Sequence, residues 1–336
     1  MSSLSLPVTM EKLSEAEMGD IWARGFLGYS RLVRIKPGDI IMNYLYEHLG
    51  TKLYNFQYRK DDIVVLSYPK SGTTWISELI WAMVNPQKVA EEGTTHIHER
   101  VFYIDQDIVL PVMEDSPMME QLQRISPGAK WSDGVALQLA ETACQRNRRI
   151  MWSHMHLNLL HPHLLETCKA VYIARNPKDV CVSYFHFLRN LESRKGRAFE
   201  GEFSMLAEAF MKGDLPYGPY WDHLKQILQK KNHENLHIIF YEDLKADVMG
   251  ELKKLREFLN LTLTDEELNI ARDHASFERM KLRERGGRVF KECLGDFYRK
   301  GEVGDWKNLA TDDLDERMDA WIAQNSAGLD IEFRYQ

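Results

Sequence analysis

Three stretches of the chain share one pattern of apolar and polar positions: a short, β-branched apolar run ends in polar residues and gives way to helical spacing. They are DDIVVLSYPKSGTTW from residue 61, CKAVYIARNPKDV from residue 168 and NLHIIFYEDLKAD from residue 235. Strand-to-helix units of this kind are typical of a parallel sheet with helices on both faces. The pattern therefore predicts an α/β fold with a central parallel sheet flanked by helices.

Helical periodicity recurs along the rest of the chain. It predicts helices over Thr73–Val84, Lys178–Asn190, Phe203–Lys212, Tyr217–Lys230, Val248–Leu259, Thr264–Ala275 and Asp312–Gln324. The sequence Thr264-Asp-Glu-Glu267 is a capping box, which marks a helix start. By contrast, the stretch Arg283–Leu309 is Gly-rich, basic and without a clear period, so it is predicted to be a long, functional or disordered loop.

No internal repeat, low-complexity stretch or linker-like composition divides the chain. Its 336 residues are therefore predicted to form one domain, 1–336, with a partly irregular N-terminal segment over 1–35. The 43 Lys and Arg residues against 50 Asp and Glu residues give a net charge of −7, which argues against a generic nucleic-acid binder. Any phosphate site must then be a local basic cluster.

The cysteines indicate a reducing compartment. Cys144, Cys168, Cys181 and Cys293 show no spacing typical of zinc, and the sequence opens MSSLSLPVTM without a basic-then-apolar leader. This combination favours reduced thiols in the cytoplasm over a disulfide framework. The longest apolar runs, such as Ile63–Leu66, have the length of a strand, so no membrane span is expected.

The string YPKSGTTW, between a strand and a helix, is predicted to be a phosphate loop. Backbone N–H groups of Ser71–Thr74 would point out of the first helical turn, where the helix dipole favours an anion. Gly72 permits a close approach and Lys70 adds charge. The lysine precedes the glycine, and the strand at 171 ends in Arg175 rather than in an acidic Mg²⁺ ligand, which argues against metal-assisted phosphoryl transfer. The alternative is a plain strand–turn–helix connection.

Four motifs together carry a family resemblance. YPKSGTTW at 68, RNPKDVCVSYFHF at 175, FYEDLK at 240 and RKGEVGDWKN at 299 resemble, in the same order, the cofactor-binding signatures of the cytosolic sulfotransferases. The resemblance covers roughly Asp61 to Asn308. It implies 3′-phosphoadenosine-5′-phosphosulfate (PAPS) as donor, the bisphosphate PAP as product, no metal, and a hydroxyl or amine on a small molecule as acceptor, in a sulfation reaction of small-molecule metabolism or detoxification.

The resemblance also implies a set of cofactor-binding residues. These are Lys70, Ser71, Gly72, Thr73 and Thr74 for the 5′-phosphosulfate, Arg175, Ser183, Arg299, Lys300 and Gly301 for the 3′-phosphate, and Trp75, Tyr241, Ser276 and Phe277 around the adenine. A nucleotide with phosphates at both ends needs two separated cationic sites, and arginine suits bidentate phosphate binding. Taken alone, the RNPKD stretch and the Arg-Lys pair could be solvated surface charges.

Sulfuryl transfer also needs a general base, and histidine suits that role at neutral pH. The resemblance places the base in a Lys-Thr-His pattern, which corresponds here to RRIMWSHMHLNLL from residue 148. His154 is therefore the candidate base, and His156 is its rival. Lys70 is expected to act in catalysis as well, by stabilising the bridging oxygen as its bond to sulfur breaks. A structural, hydrogen-bonded histidine is the alternative.

One position departs from the family pattern: the lysine two residues before the histidine is Trp152 here. An indole N–H is one neutral donor where an ammonium has three charged ones. Removing a charge-stabilising donor costs on the order of 2.7–4 kcal/mol in a transition state. Two alternatives to an ordinary sulfotransferase therefore stay open: a retinol-dehydratase-like enzyme acting through a transient sulfate ester, and a nucleotide-binding protein with weak or lost turnover.

The acceptor pocket is expected to be apolar and aromatic. Tyr103 and Phe187 match family positions, and Phe102, Phe185 and Phe26 are neighbouring candidates. Such a lining suits a phenol, a steroid, a retinoid or another alcohol. Aromatic residues at this spacing are also common in plain hydrophobic cores.

Near the C-terminus, Lys307…Thr311-Asp312…Glu316 resembles the family's short dimerisation motif. Asp312 stands where that motif has a valine, and a charge at the centre of a small interface opposes association. The homodimer that the resemblance implies is therefore in doubt, and neither a membrane nor a nucleic acid is expected as a partner.

Overall fold

The computed structural model describes residues 3–109, 116–142, 148–193, 196–286 and 298–335. Its strands are Thr9–Lys12 (β1), Leu32–Lys36 (β2), Ile40–Asn43 (β3), Ile63–Leu66 (β4), Phe102–Tyr103 (β5), Ile150–Ser153 (β6), Lys169–Ala174 (β7), Glu192–Ser193 (β8), Gly196–Arg197 (β9) and Leu236–Phe240 (β10). Its α-helices are Glu15–Ala23 (α1), Tyr46–Tyr54 (α2), Thr73–Val84 (α3), Gln106–Val109 (α4), Pro117–Ile125 (α5), Val135–Thr142 (α6), Leu164–Thr167 (α7), Pro177–Asn190 (α8), Phe203–Lys212 (α9), Tyr220–Leu228 (α10), Tyr241–Ala246 (α11), Val248–Phe258 (α12), Asp265–His274 (α13), Phe277–Gly286 (α14) and Asp312–Ser326 (α15).

The centre of the molecule is a parallel sheet in the order β10–β7–β4–β6–β5. Strands β4 and β6 are buried along their whole length, as expected for a parallel sheet covered on both faces. The predicted single α/β domain with a flanked parallel sheet is confirmed. The sequence pattern did not predict the small antiparallel sheet β1–β2–β3 or the β8–β9 hairpin.

Alternate residues of β4 face two separate hydrophobic cores. Ile63 and Val65 pack with residues of α3, α12 and α13, whereas Val64 and Leu66 pack with residues of α8, α9, α10 and α15. This alternation is the two-residue period of a strand. Because helices cover both faces, only the ends of the strands are available to a ligand, and the carboxyl ends hold the polar motifs.

Several helix predictions agree closely with the structure, and two stretches differ. α3 and α9 have the predicted bounds, and Thr264 and Glu267 form the predicted capping box of α13. The helix predicted from Tyr217 begins only at Tyr220, because Tyr217 has a φ of 67°, outside the helical region, and Pro219 lies at the N-cap. The predicted loop Arg283–Leu309 begins inside α14 and includes a 3₁₀ turn over Asp305–Asn308; its residues 287–297 lie outside the described ranges.

The N-terminal segment contains both regular and irregular stretches. Within 1–35, the described residues include β1, α1 and most of β2. Cys168 and Cys181 are buried free thiols, and Cys144 and Cys293 lie outside the described residues. Across the described part of the chain, every helix is too short or too polar to cross a membrane.

Candidate active site

A cavity of about 560 Å³ lies at the carboxyl ends of the central strands, where ligands of open α/β sheets bind. The sheet order places the loops after β4, β6 and β7 side by side. Most of the predicted site residues line this one cavity: Lys70, Gly72, Thr73, Thr74, Trp75, Tyr103, His154, Arg175, Ser183, Phe187, Tyr241, Ser276, Phe277, Arg299, Lys300 and Gly301. Residues separated by more than two hundred positions are therefore brought to a single site.

The backbone of the predicted phosphate loop forms a turn that leads into the N-terminus of α3. Lys70 and Gly72 have φ values of 70° and 109°, and α3 begins at Thr73 with Gly72 as its N-cap. A side chain at Gly72 would lie 2.7 Å from the Tyr241 ring, so only glycine fits there. Ser71 is buried, and its Oγ has no hydrogen-bond partner within the described ranges. An anion at the α3 N-terminus fits these groups.

A second basic cluster faces the same cavity. Arg299 and Lys300 both donate to Asp305, with 2.6 Å between Lys300 Nζ and Asp305 Oδ1. Burial alone would raise the pKa of Asp305, but the hydrogen bonds from these two cations outweigh it and lower the pKa to about 2. The backbone N–H of Gly304 donates to Asp179 Oδ2 at 2.9 Å, which anchors the segment to α8. Arg299, Lys300 and the ionised Asp305 together therefore carry one net positive charge.

Arg175 connects the two basic regions. Its guanidinium carbon lies 4.2 Å from the centre of the Tyr241 ring, and its Nη2 donates to the Glu302 carbonyl at 2.8 Å. The Arg175 Nε is buried and has no partner among the residues that the structure describes. Trp75 and Tyr241 are in edge contact, with ring centroids 5.4 Å apart. These groups fit a nucleotide with phosphates at both ends.

The surroundings of His154 favour one tautomer of its ring. Its Nδ1 lies 3.0 Å from the backbone carbonyl of Ser67, which can only accept a hydrogen bond. The ring proton is therefore assigned to Nδ1, and the lone pair on Nε2 is left for a ligand. Burial and the nearby Lys70 charge lower the pKa of His154 to about 4, against the opposing effect of the Ser67 carbonyl. The imidazole is neutral at pH 7.

His156 has a different setting. Its Nε2 lies 2.9 Å from the carbonyl of Tyr217, and its Nδ1 lies 3.2 Å from Gln226 Nε2. Both ring nitrogens are used within the protein, and the side chain is buried away from the cavity. The geometry therefore favours His154 over its rival as the group that meets a ligand.

A buried carboxylate that was not among the predicted site residues lies behind His154. Asp105 accepts from the Tyr217 hydroxyl at 2.7 Å and from the backbone N–H of His154 at 3.3 Å. Tyr217 Oη in turn lies 3.1 Å from Tyr103 Oη, and both tyrosines line the cavity. Burial raises the pKa of Asp105 to about 6, and the hydrogen bonds that it accepts limit the rise. The β5 strand before it has only two residues, which is too short for a periodicity signal.

Trp152 lines the cavity where the family pattern has a lysine. Its ring centroid lies 5.6 Å from that of Tyr103 and 4.9 Å from that of His98. Lys70 Nζ lies 4.3 Å from the centre of the Phe187 ring. The wall next to His154 is therefore aromatic.

Three aromatic candidates for the pocket belong to the core instead. Phe102 packs against the cluster formed by α5 and α6, because neighbouring residues of a strand face opposite sides and Tyr103 takes the cavity side. Phe185 contacts Phe199 and Phe203, and Phe26 also contacts Phe199. Phe102, Phe185 and Phe26, which were predicted to line the pocket, are not among the residues that line this cavity.

A parallel sheet with a loop of this kind and a second basic cluster at its carboxyl edge is typical of nucleotide-binding α/β proteins. A family model described as "Sulfotransferase domain" matches residues 60–330. The chain belongs to the sulfotransferase family, as the motifs predicted.

Two named relatives are similar over most of their length. Sulfotransferase 1E1 of Bos taurus is 34% identical over 83% of this chain and 88% of its own. Sulfotransferase 1A1 of Mus musculus is 32% identical over 91% of this chain and 97% of its own.

Solved structures are similar as well. Retinol dehydratase in complex with androsterone and the inactive cofactor PAP has a TM-score of 0.84 and 25% identity, over 99% of this chain and 100% of that one. Mouse sulfotransferase SULT7A1 complexed with PAP has a TM-score of 0.63 and 26% identity, over 88% of this chain and 95% of that one.

Proposed function

We propose that the protein transfers a sulfuryl group from PAPS to a hydroxyl, or an amine, of a small and mostly apolar acceptor such as a phenol, a steroid or another alcohol. The observation that carries the proposal is one cavity that joins the phosphate loop, the neutral His154 and the basic pair Arg299–Lys300. The relatives solved with PAP support the choice of nucleotide.

The two basic regions would divide the donor between them. The loop Lys70–Thr74 offers backbone N–H groups, two threonine hydroxyls and a lysine to the 5′-phosphosulfate. Arg175, Arg299 and Lys300 would bind the 3′-phosphate with Ser183 and Gly301. A side chain at Gly301, where φ is 67°, would lie 2.9 Å from the Phe277 ring, which favours glycine at this turn.

The reaction then needs only groups that meet in the cavity. His154 Nε2 takes the proton of the acceptor hydroxyl, and the acceptor oxygen attacks sulfur. The bond between sulfur and the bridging oxygen breaks, and the electron pair stays on the 5′-phosphate of PAP. Lys70 neutralises the charge that develops there. With a pKa of about 4, His154 is in its base form throughout the neutral range.

A second candidate is a dehydratase that sulfates an allylic alcohol and then releases sulfate. Two observations favour it: the TM-score of 0.84 to retinol dehydratase and the aromatic wall of Trp152, Tyr103 and His98. When sulfate leaves with the C–O electron pair, a carbocation remains until it loses a proton to give the alkene. Aromatic faces stabilise a cation, whereas the lysine of the family pattern would repel it.

One experiment tests both candidates. The purified protein is incubated with [³⁵S]PAPS and a panel of phenols, steroids, amines and allylic alcohols, and products are analysed by mass. A sulfotransferase gives a labelled ester, and a dehydratase gives an unlabelled product lighter by one water together with free labelled sulfate. If PAP binds but no acceptor is sulfated or dehydrated, both enzyme hypotheses fail and the nucleotide-binding alternative stands.

A further inference from the structure

A chain of three polar groups links the phosphate loop to the base. Ser67 is the residue after β4 and is fully buried. Its Oγ lies 2.6 Å from Thr73 Oγ1 and 3.1 Å from His154 Nδ1. Both distances are those of direct hydrogen bonds. Thr73 and His154 line the cavity, so Ser67 connects two groups that both face it.

The direction of these hydrogen bonds depends on what occupies the loop. Each hydroxyl has one proton to donate. An anion can only accept, so an anion in the loop draws the Thr73 proton toward itself. The Ser67 hydroxyl then donates to Thr73 Oγ1, and a Ser67 lone pair faces His154 Nδ1. Nδ1 must carry the ring proton in this arrangement, which leaves Nε2 as the base.

Without an anion, the hydrogen bonds among Thr73, Ser67 and His154 can point in the opposite direction. Thr73 then donates to Ser67, and Ser67 donates to His154 Nδ1, which places the ring proton on Nε2 and removes the base. The Ser67 carbonyl, 3.0 Å from Nδ1, opposes this reversal in both states. The Ser67 carbonyl already favours the ring proton on Nδ1, and an anion in the loop strengthens this preference.

We propose that Ser67 is a positioning residue that makes the base form of His154 depend on occupancy of the phosphate loop. The inference rests on the proposed function and extends it, because it assigns an order to the reaction: an acceptor bound before the donor nucleotide meets a histidine that is less able to take its proton. Neither the loop nor the base alone would give this coupling.

The direct test is the tautomer of His154, read from the ¹⁵N shifts of histidine-labelled protein with and without PAP. The His154→Gln variant assigns the signal. In the wild type, PAP is expected to shift the ring toward the Nδ1–H form. In Ser67→Ala, PAP should bind within about threefold of the wild-type affinity, and the tautomer should not respond. Ser67→Thr keeps the hydroxyl and should restore the response.

Kinetics give an independent measure. Ser67→Ala is expected to lower kcat about tenfold, the size of one modest hydrogen bond, with little change in the KM for PAPS. Thr73→Val removes the hydrogen bond between Thr73 and Ser67 and should also abolish the tautomer response at saturating PAP. If Ser67→Ala responds to PAP as the wild type does, the coupling is refuted and the proposed function stands. If the wild-type protein binds no PAP, both are refuted.

Discussion

Tyr103 and Trp152 are register partners on the neighbouring parallel strands β5 and β6, and their ring centroids lie 5.6 Å apart with the planes inclined by 37°. The pairing places an indole beside the candidate base, where the family pattern has an ammonium group. An aromatic wall has no charged donor for the oxygens of a sulfuryl group, but it can contact an apolar acceptor or stabilise a cation derived from it. The position therefore bears most directly on the nature of the product.

Trp152 should influence which product forms. Trp152→Lys should raise the yield of sulfate ester from an allylic alcohol relative to alkene, because an ammonium stabilises the sulfuryl oxygens and repels a carbocation. Trp152→Phe, which keeps an aromatic face, should leave the product ratio near that of the wild type. The ratio is measured by mass spectrometry of the products. Equal ratios in all three proteins would mean that the indole does not influence the outcome.

Lys70 should matter more for turnover than for binding. Lys70→Met is expected to lower kcat by about 10²–10³-fold, as when one donor to a developing negative charge is removed. The affinity for PAP should fall much less, since the loop N–H groups remain. Lys230→Met, an exposed lysine outside the site, is the matched charge control. Similar losses in kcat for both variants would indicate a general charge effect.

Arg299 is expected to contact the 3′-phosphate and no other part of the nucleotide. Arg299→Ala is expected to weaken PAP binding by about 10–100-fold, in line with the loss of a charged hydrogen bond worth about 1.5–3 kcal/mol. Binding of adenosine 5′-phosphosulfate, which has no 3′-phosphate, should be nearly unchanged. Calorimetry with the two nucleotides measures the difference. An equal loss for both nucleotides would place Arg299 elsewhere in the site.

The rate should depend on the ionisation of His154 at low pH. The neutral ring is the active form and its pKa is lowered to about 4 by burial and by Lys70. As pH falls, kcat/KM should therefore stay high through the ordinary histidine range and then fall as pH drops through about 4. Lys70→Met removes one of the two causes and should move this inflection upward. A single inflection at the unperturbed value of about 6.5 would contradict the buried geometry.

Asp105 should affect activity and stability in opposite directions. Its folded pKa, about 6, lies above the ordinary value of 3.8, so the folded state binds this proton more tightly and the contribution to stability is lost as pH rises through 6. Asp105→Asn removes the cost of a buried charge and should melt no lower than the wild type at pH 7. Its kcat/KM should fall about tenfold, because Tyr217 and the His154 backbone lose a charged acceptor. Thermal melting and kinetics check the two halves.

The sequence predicted the parts of the site that lie within one strand–helix unit. The loop Lys70–Thr74 follows a strand of four apolar residues and opens a helix with the predicted bounds. The strand pattern then placed Arg175 near it, since the carboxyl ends of parallel strands share one edge, whereas Arg299 was assigned to the site only by the family resemblance.

The sequence did not predict contacts that depend on tertiary packing. Asp105 and Tyr217 are 112 positions apart, and neither stands in a local pattern that would indicate their hydrogen bond. Phe102 and Tyr103 are adjacent aromatics on a two-residue strand, which is too short for its two faces to be told apart. Ser67 stood in the stretch quoted from residue 61, but the role proposed for it depends on its distance to His154, which no local spacing gives.

The central claim is that His154 activates an acceptor for sulfuryl transfer from a nucleotide bound at the loop. The most direct measurement is acceptor-dependent formation of PAP from PAPS by the wild type and by His154→Gln, with PAP affinity determined for both. The account predicts equal affinity and PAP formation by the wild type alone. Equal PAP formation by the two proteins would contradict it.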